Sequence, residues 1–462
     1  MAPKTAADLV GRVVQTGDPY CAAAVYSMAS SEQCKVLEAV MFGKRRDALM
    51  LARWEHTPAA VLQALSSGSD AGVEVRLDKN PGTPSQALSQ LYAGGHNIGG
   101  RNAVLTVLIA QHQHTPLGVL ERIVQFDSDM ECLKAVSKNP AANGHVLKML
   151  VDRMPGVFDR NVVANPSTPA ALLEQIYAGS DAYVRAAAIA HANCPQSLIE
   201  LAVSDDDVLV LRQLARDKRL DKDMLMRLAN NPDAAVRCGV ASNPASPKAL
   251  IRQLLNDKAC SVRRAVAARA DLTVASIKHL MNDTDRWVRQ WLGRNPVVSR
   301  KVMETLATDP EIDVRRAVAR NPRCPARLLE ALGQDGNAWV RSAVAYQSNA
   351  PTRLMLALAE DIDIDVLSGV AANLHTPQAI MQKLAASPEA DVRRGVILNR
   401  KASRATLLPL LEDPYYLHRL LLAGSTKLKE ADKWQLCEDP DSMVRFAAFR
   451  WFAGKLGKEV TQ

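Results

Sequence analysis

The sequence predicts an all-α fold, an α-solenoid of about sixteen two-helix repeats with a pitch of about 26 residues. Three observations carry this. A Val-Arg dyad returns along most of the chain at steps of 25 to 27 residues. Proline-led segments between the dyads place leucines at helical spacing. Aromatic residues make up only 4%, so the apolar mass is Ala, Leu and Val, which suits helices that approach closely. A chain of 462 residues is too long for one compact core. In a repeat array that limit falls away, because each unit packs only on its neighbours.

The dyads are Val184-Arg185, Val236-Arg237, Val262-Arg263, Val288-Arg289, Val314-Arg315, Val340-Arg341, Val392-Arg393 and Val444-Arg445. Degenerate copies stand at Leu211-Arg212, Val366-Leu367 and Leu417-His418. The fullest copy runs from Val314 through Asn321-Pro322 and Pro325 to Leu328, Leu329 and Leu332. The same grammar reaches back through Asn165-Pro166, Asn139-Pro140 and Thr83-Pro84 to Thr57-Pro58, and a faint copy starts at Cys21.

Each unit reads locally. In Thr57-Pro58, Thr83-Pro84, Thr115-Pro116, Thr168-Pro169 and Thr376-Pro377 the threonine is expected to N-cap a helix that begins with proline. Leu172, Leu173 and Ile176 then form the inner stripe of a helix of about ten residues. A second helical piece carries the dyad and is short enough to be 3-10 in places. An acidic residue precedes the dyad arginine by four, as in Asp181/Arg185, Asp233/Arg237, Asp285/Arg289 and Glu311/Arg315. It is expected to oppose the helix dipole and to pair with that arginine across one turn. Asn-Pro ends the piece, since a residue before proline is pushed out of helical geometry.

The resulting organisation is a helical N-terminal cap over residues 1–45, repeats over 46–445, and an aromatic-rich capping helix with a tail over 446–462. One insertion breaks the period: 32 residues separate Val73 from Leu105, and the extra stretch is Gly-rich over Gly94–Gly100. It reads as a surface loop, without the sequence context of a phosphate-binding loop.

The repeat grammar resembles the leucine-rich repeat variant family over residues 45–450. That resemblance implies a right-handed solenoid of alternating α- and 3-10 helices, with HEAT-type α/α pairs as the alternative. It also implies an N-terminal iron–sulfur cysteine cluster. Cys21 and Cys34 alone do not make a four-ligand set, so no cofactor is expected.

The eight cysteines include no CxxC pair, no signal peptide or long apolar run is evident, and a cytoplasmic location is expected. Gln111-His112-Gln113-His114 lacks the further ligands a metal would need, so no metal site is expected. No catalytic triad or carboxylate pair stands apart from the repeat.

Net charge is +8, and residues 251–300 supply most of it, with ten Lys/Arg against four Asp/Glu. Such a block is a solvated face or a patch for an acidic partner or nucleic acid. The dyad arginines are expected to be structural. Cations without a repeated acidic partner are better binding candidates: Lys79, Lys138, Arg294 and Arg320 before Asn-Pro or its equivalent, and Arg264, Arg316 and Arg394 beside the dyad. Arg286, Trp287, Trp291 and Arg294, with Trp339 one repeat position equivalent to Trp287, add aromatic character. Residues 285–294 resemble, loosely, the lesion pocket of HEAT-like alkylpurine DNA glycosylases, where aromatic and acidic side chains stabilise a cationic base. The leading expectation is a non-catalytic scaffold that holds a protein partner, with acidic character, on a concave face near residues 230–345. The alternative is a nucleic-acid-binding repeat protein with glycosylase-like activity.

Overall fold

A computed structural model describes residues 3–94 and 103–460. Among them are thirty-four α-helices, three short 3-10 pieces and no strand. The chain divides into two compact units, residues 1–198 with 429–462, and residues 199–428. No described helix is long and apolar enough to cross a membrane. Of the Gly-rich insertion, Gly94 ends the helix Ser85–Gly94, and the remainder lies outside the described residues.

Repeats in the second unit pair a dyad helix with a leucine helix, as in Ile312–Ala319 followed by Ala326–Leu332. The valines Val236, Val262, Val288, Val314, Val340, Val366 and Val392 have no exposed surface. So do the apolar residues one turn later, among them Val240, Val266, Leu292 and Val318. Each helix therefore buries one stripe and depends on its neighbour for the other wall. Of the two helix types open to the dyad pieces, α is the one found, and among the described residues 3-10 geometry is confined to Tyr26–Met28, Leu408–Glu412 and Leu436–Glu438. The register is also more regular than the sequence spacing indicates. Val210 and His418, both buried, occupy the valine position in two of the three degenerate repeats, so the 25- and 27-residue steps become 26.

The threonine before proline does not N-cap the following helix. It is buried and turned back, donating its hydroxyl to the carbonyl six residues earlier: Thr57 to Leu51 (2.7 Å), Thr83 to Leu77 (2.6 Å) and Thr376 to Val370 (2.5 Å). The last carbonyls of the dyad helix lack intrahelical donors, and this hydroxyl satisfies one of them. Proline itself takes the N-cap position without a side-chain bond. Side-chain N-caps appear where proline is missing, at Asp221, Thr273, Ser299 and Ser403.

The asparagine of Asn-Pro does more than end a helix. Asn295 leaves helical geometry (φ −72°, ψ 124°), and its buried amide donates to the carbonyls of Ala267 (2.8 Å) and Arg269 (2.7 Å) in the previous repeat. Its oxygen accepts the Val297 N–H. Asn80, Asn139 and Asn165 repeat the arrangement in the first unit, and Asn243, Asn321, Asn373 and Asn399 in the second. Gln347 and Arg269 substitute for it within the second unit. This amide ladder satisfies backbone groups that stacking would otherwise bury without partners.

A second ladder uses the dyad arginines, and here the expected pairing is wrong. Arg237, Arg263, Arg289, Arg315, Arg341 and Arg393 pair with no acid four residues earlier, and for Arg263 and Arg341 that position is Ala259 and Asn337. Each grips an aspartate 20 residues ahead, in the next repeat: Asp257, Asp283, Asp309, Asp335, Asp361 and Asp413, with Nε–O distances of 2.6–2.7 Å. The second amino group completes a two-bond clamp, and the third nitrogen donates to the carbonyl six residues earlier in its own repeat. The earlier acid is committed elsewhere. Asp233 and Asp285 N-cap the dyad helix and receive Arg212 and Arg264 from the preceding repeat. Where the ladder breaks, both partners are lost together: Leu367 replaces the arginine and Ser387 the aspartate.

The first unit contains both ends of the described chain, packed on each other. Helix Pro19–Val25 lies against Ser442–Val460. Arg445 clamps Asp18, which N-caps Pro19–Val25, so Asp18 takes the place that the next repeat's aspartate holds elsewhere. Trp54 meets Phe446 edge-on at 4.5 Å.

Candidate cationic interaction site

With the two ladders consuming one side of each dyad helix, three positions remain on its outer side: the residue before the valine, the second after it, and the last of the helix. Stacking brings the second of these against the first of the next repeat. Arg264 thus lies over Trp287 (5.8 Å to the ring centroid), and Arg316 over Trp339 (5.7 Å).

Three of the sequence-predicted residues are already satisfied. Arg264 is not unpaired as expected: it clamps Asp285 at 3.2 and 3.0 Å. Arg286 also lies over the Trp287 ring (4.9 Å) and meets Glu311 at 3.3 Å. Trp287 is half-buried, with two guanidinium groups over its ring. Asp285, the acid of the lesion-pocket resemblance, is bound by Arg264 and caps Val288, which holds its carboxyl down to about 2. It stays ionised and occupied, a structural role.

Arg294, Arg316 and Arg320 behave differently. None has a carboxylate partner among the described residues, and the Arg316 Nε is buried without a hydrogen bond among them. Their proximity follows from the repeat. Arg294 and Arg320 hold the same position one repeat apart, and Arg316 lies one turn before Arg320 on its helix. Gly293 assists the approach of the two helices, since a Cβ there would come within 3.2 Å of Val318. Desolvation lowers the proton affinity of Arg320, and the Arg316 and Arg294 charges lower it further. Trp339, under Arg316, is 57% exposed and Trp291, on the helix of Arg294, is 46% exposed; Tyr346, absent from the sequence-predicted set, is exposed at the position equivalent to Arg320 one repeat on.

The remaining predicted cations are scattered. Lys138 and Arg394 are exposed on separate helices. Lys79 lies in the first unit with Arg53 and Arg76, a group that sequence reasoning missed. His112 and His114 tie repeats together through the Asn80 and Thr83 carbonyls. Among the described residues no cluster of three metal-ligating side chains occurs. Burial pushes the Cys21 thiol up to about 12.

The molecule is therefore a helical-repeat protein of the α/α type, with its exposed chemistry on the dyad helices. Residues 312–337 match the family model described as leucine rich repeat variant. Among solved structures, a leucine-rich repeat variant with a novel repetitive structural motif is 26% identical, covering 48% of this chain and 88% of that one (TM-score 0.36). A chain of the Pds5–Scc1 complex is 11% identical over 98% of this chain and 72% of that one (TM-score 0.23). UNC-45 from Drosophila melanogaster is 13% identical over 93% and 62% (TM-score 0.16). No curated protein matches the chain.

Proposed function

We propose that the protein is a non-catalytic interaction scaffold, and that an acidic segment of a protein partner docks on the second unit at Arg294, Arg316 and Arg320. The observation that carries this is the contrast in charge balance. Dyad arginines are clamped by aspartates, while these three cations stand together without any among the described residues. Partly exposed ion pairs contribute only about 0.2–1 kcal/mol each, so they set orientation and encounter rate more than affinity. Trp291 and Trp339 supply the apolar area that an anchor residue of the partner covers. Eight free thiols fit a reducing compartment, and we place the protein in the cytoplasm.

The test is a titration of the intact chain with a labelled acidic peptide that carries one phenylalanine. Binding is expected to weaken at least tenfold in Trp339→Ala, and about threefold in Arg294→Ala with a shallower salt dependence. Nucleic acid is the competing ligand. If duplex or single-stranded DNA binds with a steep salt slope while the peptide does not, the scaffold reading fails.

A further inference from the structure

The first unit holds a groove that no repeat rule accounts for. Three adjoining cavities of about 720, 620 and 330 Å³ run along the helices Arg45–Arg53, Ala71–Lys79 and Ala103–Gln111. They share walls. Arg53, Glu55 and Arg76 line the first and second, and Lys79 and Pro81 line the second and third.

The groove is cationic. Among the described residues Arg53 and Lys79 have no carboxylate partner, and Arg76 uses one nitrogen on its own Gly72 carbonyl. Two acids share the lining, Glu55 and Asp78. Asp78 stands where the neighbouring repeats carry the buried alanines Ala52 and Ala110. Neither of its oxygens has a hydrogen-bond partner among the described residues, and burial, with the nearby Glu74 charge, pushes its carboxyl up to about 8. At neutral pH it is mostly protonated and does not repel an anion. The Trp54 ring at the other end is packed edge-on by Tyr20, His56 and Phe446, so it is poorly placed to stack a nucleobase.

Arg53 and Lys79 hold equivalent positions on adjacent stacked helices, a separation of about 8–10 Å. An extended polypeptide in the polyproline II conformation rises about 3.1 Å per residue with three residues per turn, so side chains three residues apart lie on one face, about 9 Å apart. We propose that this groove binds an extended acidic polypeptide segment whose carboxylates lie three residues apart, one meeting Arg53 and Arg76 and the next Lys79. The site shares no residue with the one in the second unit, and either can fail without the other.

The experiment is fluorescence anisotropy on the full chain with a labelled Gly/Ser peptide bearing glutamates at every third position. Arg53→Glu/Lys79→Glu is expected to weaken binding at least tenfold, while Arg294→Glu/Arg320→Glu changes it less than twofold. Both groove residues are exposed, and circular dichroism with the milder Arg53→Ala/Lys79→Ala pair separates loss of binding from loss of fold. Three results would each overturn the proposal. Binding is unchanged by the groove variants, a peptide with contiguous glutamates binds equally well, or a single-stranded oligonucleotide of equal charge binds more tightly.

Discussion

The two units share one joint and differ in another. The amide ladder runs through both, with Asn80, Asn139 and Asn165 in the first and Asn243, Asn295 and Asn321 in the second. The arginine–aspartate ladder belongs chiefly to the second. At three of its dyad-arginine positions the first unit carries Glu74, Leu133 and Asp159, while Arg185 and Arg445 keep the arginine. Stacking therefore requires satisfied backbone carbonyls everywhere, whereas buried ion pairs are an addition the stack can do without. That fits the general balance of such pairs, whose desolvation cost consumes most of their Coulombic gain.

The sharpest way to break this comparison is Arg237→Ala. Arg237 and Asp257 are only 8% and 7% exposed, so the single change strands a buried carboxylate and is expected to cost about 3–5 kcal/mol in chemical denaturation. Arg237→Leu with Asp257→Ser copies the natural break at Leu367 and Ser387, and is expected to restore stability to within about 1–2 kcal/mol of the parent. If the double variant is as unstable as the single one, the ion ladder is indispensable and the comparison fails. Asn321→Ala and Asn139→Ala come next, at about 2–3 kcal/mol each, because each removes two buried hydrogen bonds and takes the amide donor from the Gly293 or Ala110 carbonyl. A similar loss in both units is the expected result, and a loss in one alone would contradict a common joint.

The smallest effect distinguishes the units by pH. Burial raises the Asp413 carboxyl, but Arg393 and its other hydrogen-bond donors outweigh that and bring it down to about 2. Its contribution is present above the unfolded value near 4 and is lost as pH falls toward 2. Asp78 has the opposite sign. With its folded value near 8, its contribution is present below about 4 and declines as pH rises to 8. Asp78→Ala is thus expected to stabilise the protein by about 1–2 kcal/mol at pH 8 and to gain little at pH 4.5, read from thermal melts at the two pH values.

Much of this was legible before any coordinates. The period, the helix pairs and the buried valines follow from spacing alone, and Arg294 and Arg320 stood out as cations lacking a repeated acid. The ladder partners were not legible, because an i,i+4 acid on the same helix is the nearest plausible mate for an arginine. Asp285 shows why that inference breaks down: its carboxylate is turned to the helix N-terminus, where it caps Val288 and receives Arg264. The joint loss of arginine at Leu367 and aspartate at Ser387 was the available signal. The groove was hidden because stacking creates it, though an aspartate at an alanine position, Asp78, marked the place.

The rung between Arg445 and Asp18 has a consequence in time. The other described rungs of that ladder join residues 20 apart, while this one joins residues 427 apart. In a free chain, closing the longer span costs on the order of 3 kcal/mol more entropy. During synthesis, at roughly 5–20 residues per second, the helix Pro19–Val25 waits about 20–90 s for its partner to be made. Its apolar face, with Cys21 to Val25 fully or almost fully buried in the finished fold, is exposed until then. Neighbouring repeats can assemble as they emerge, but this contact must wait, making these first helices the stretch of the nascent chain most in need of protection.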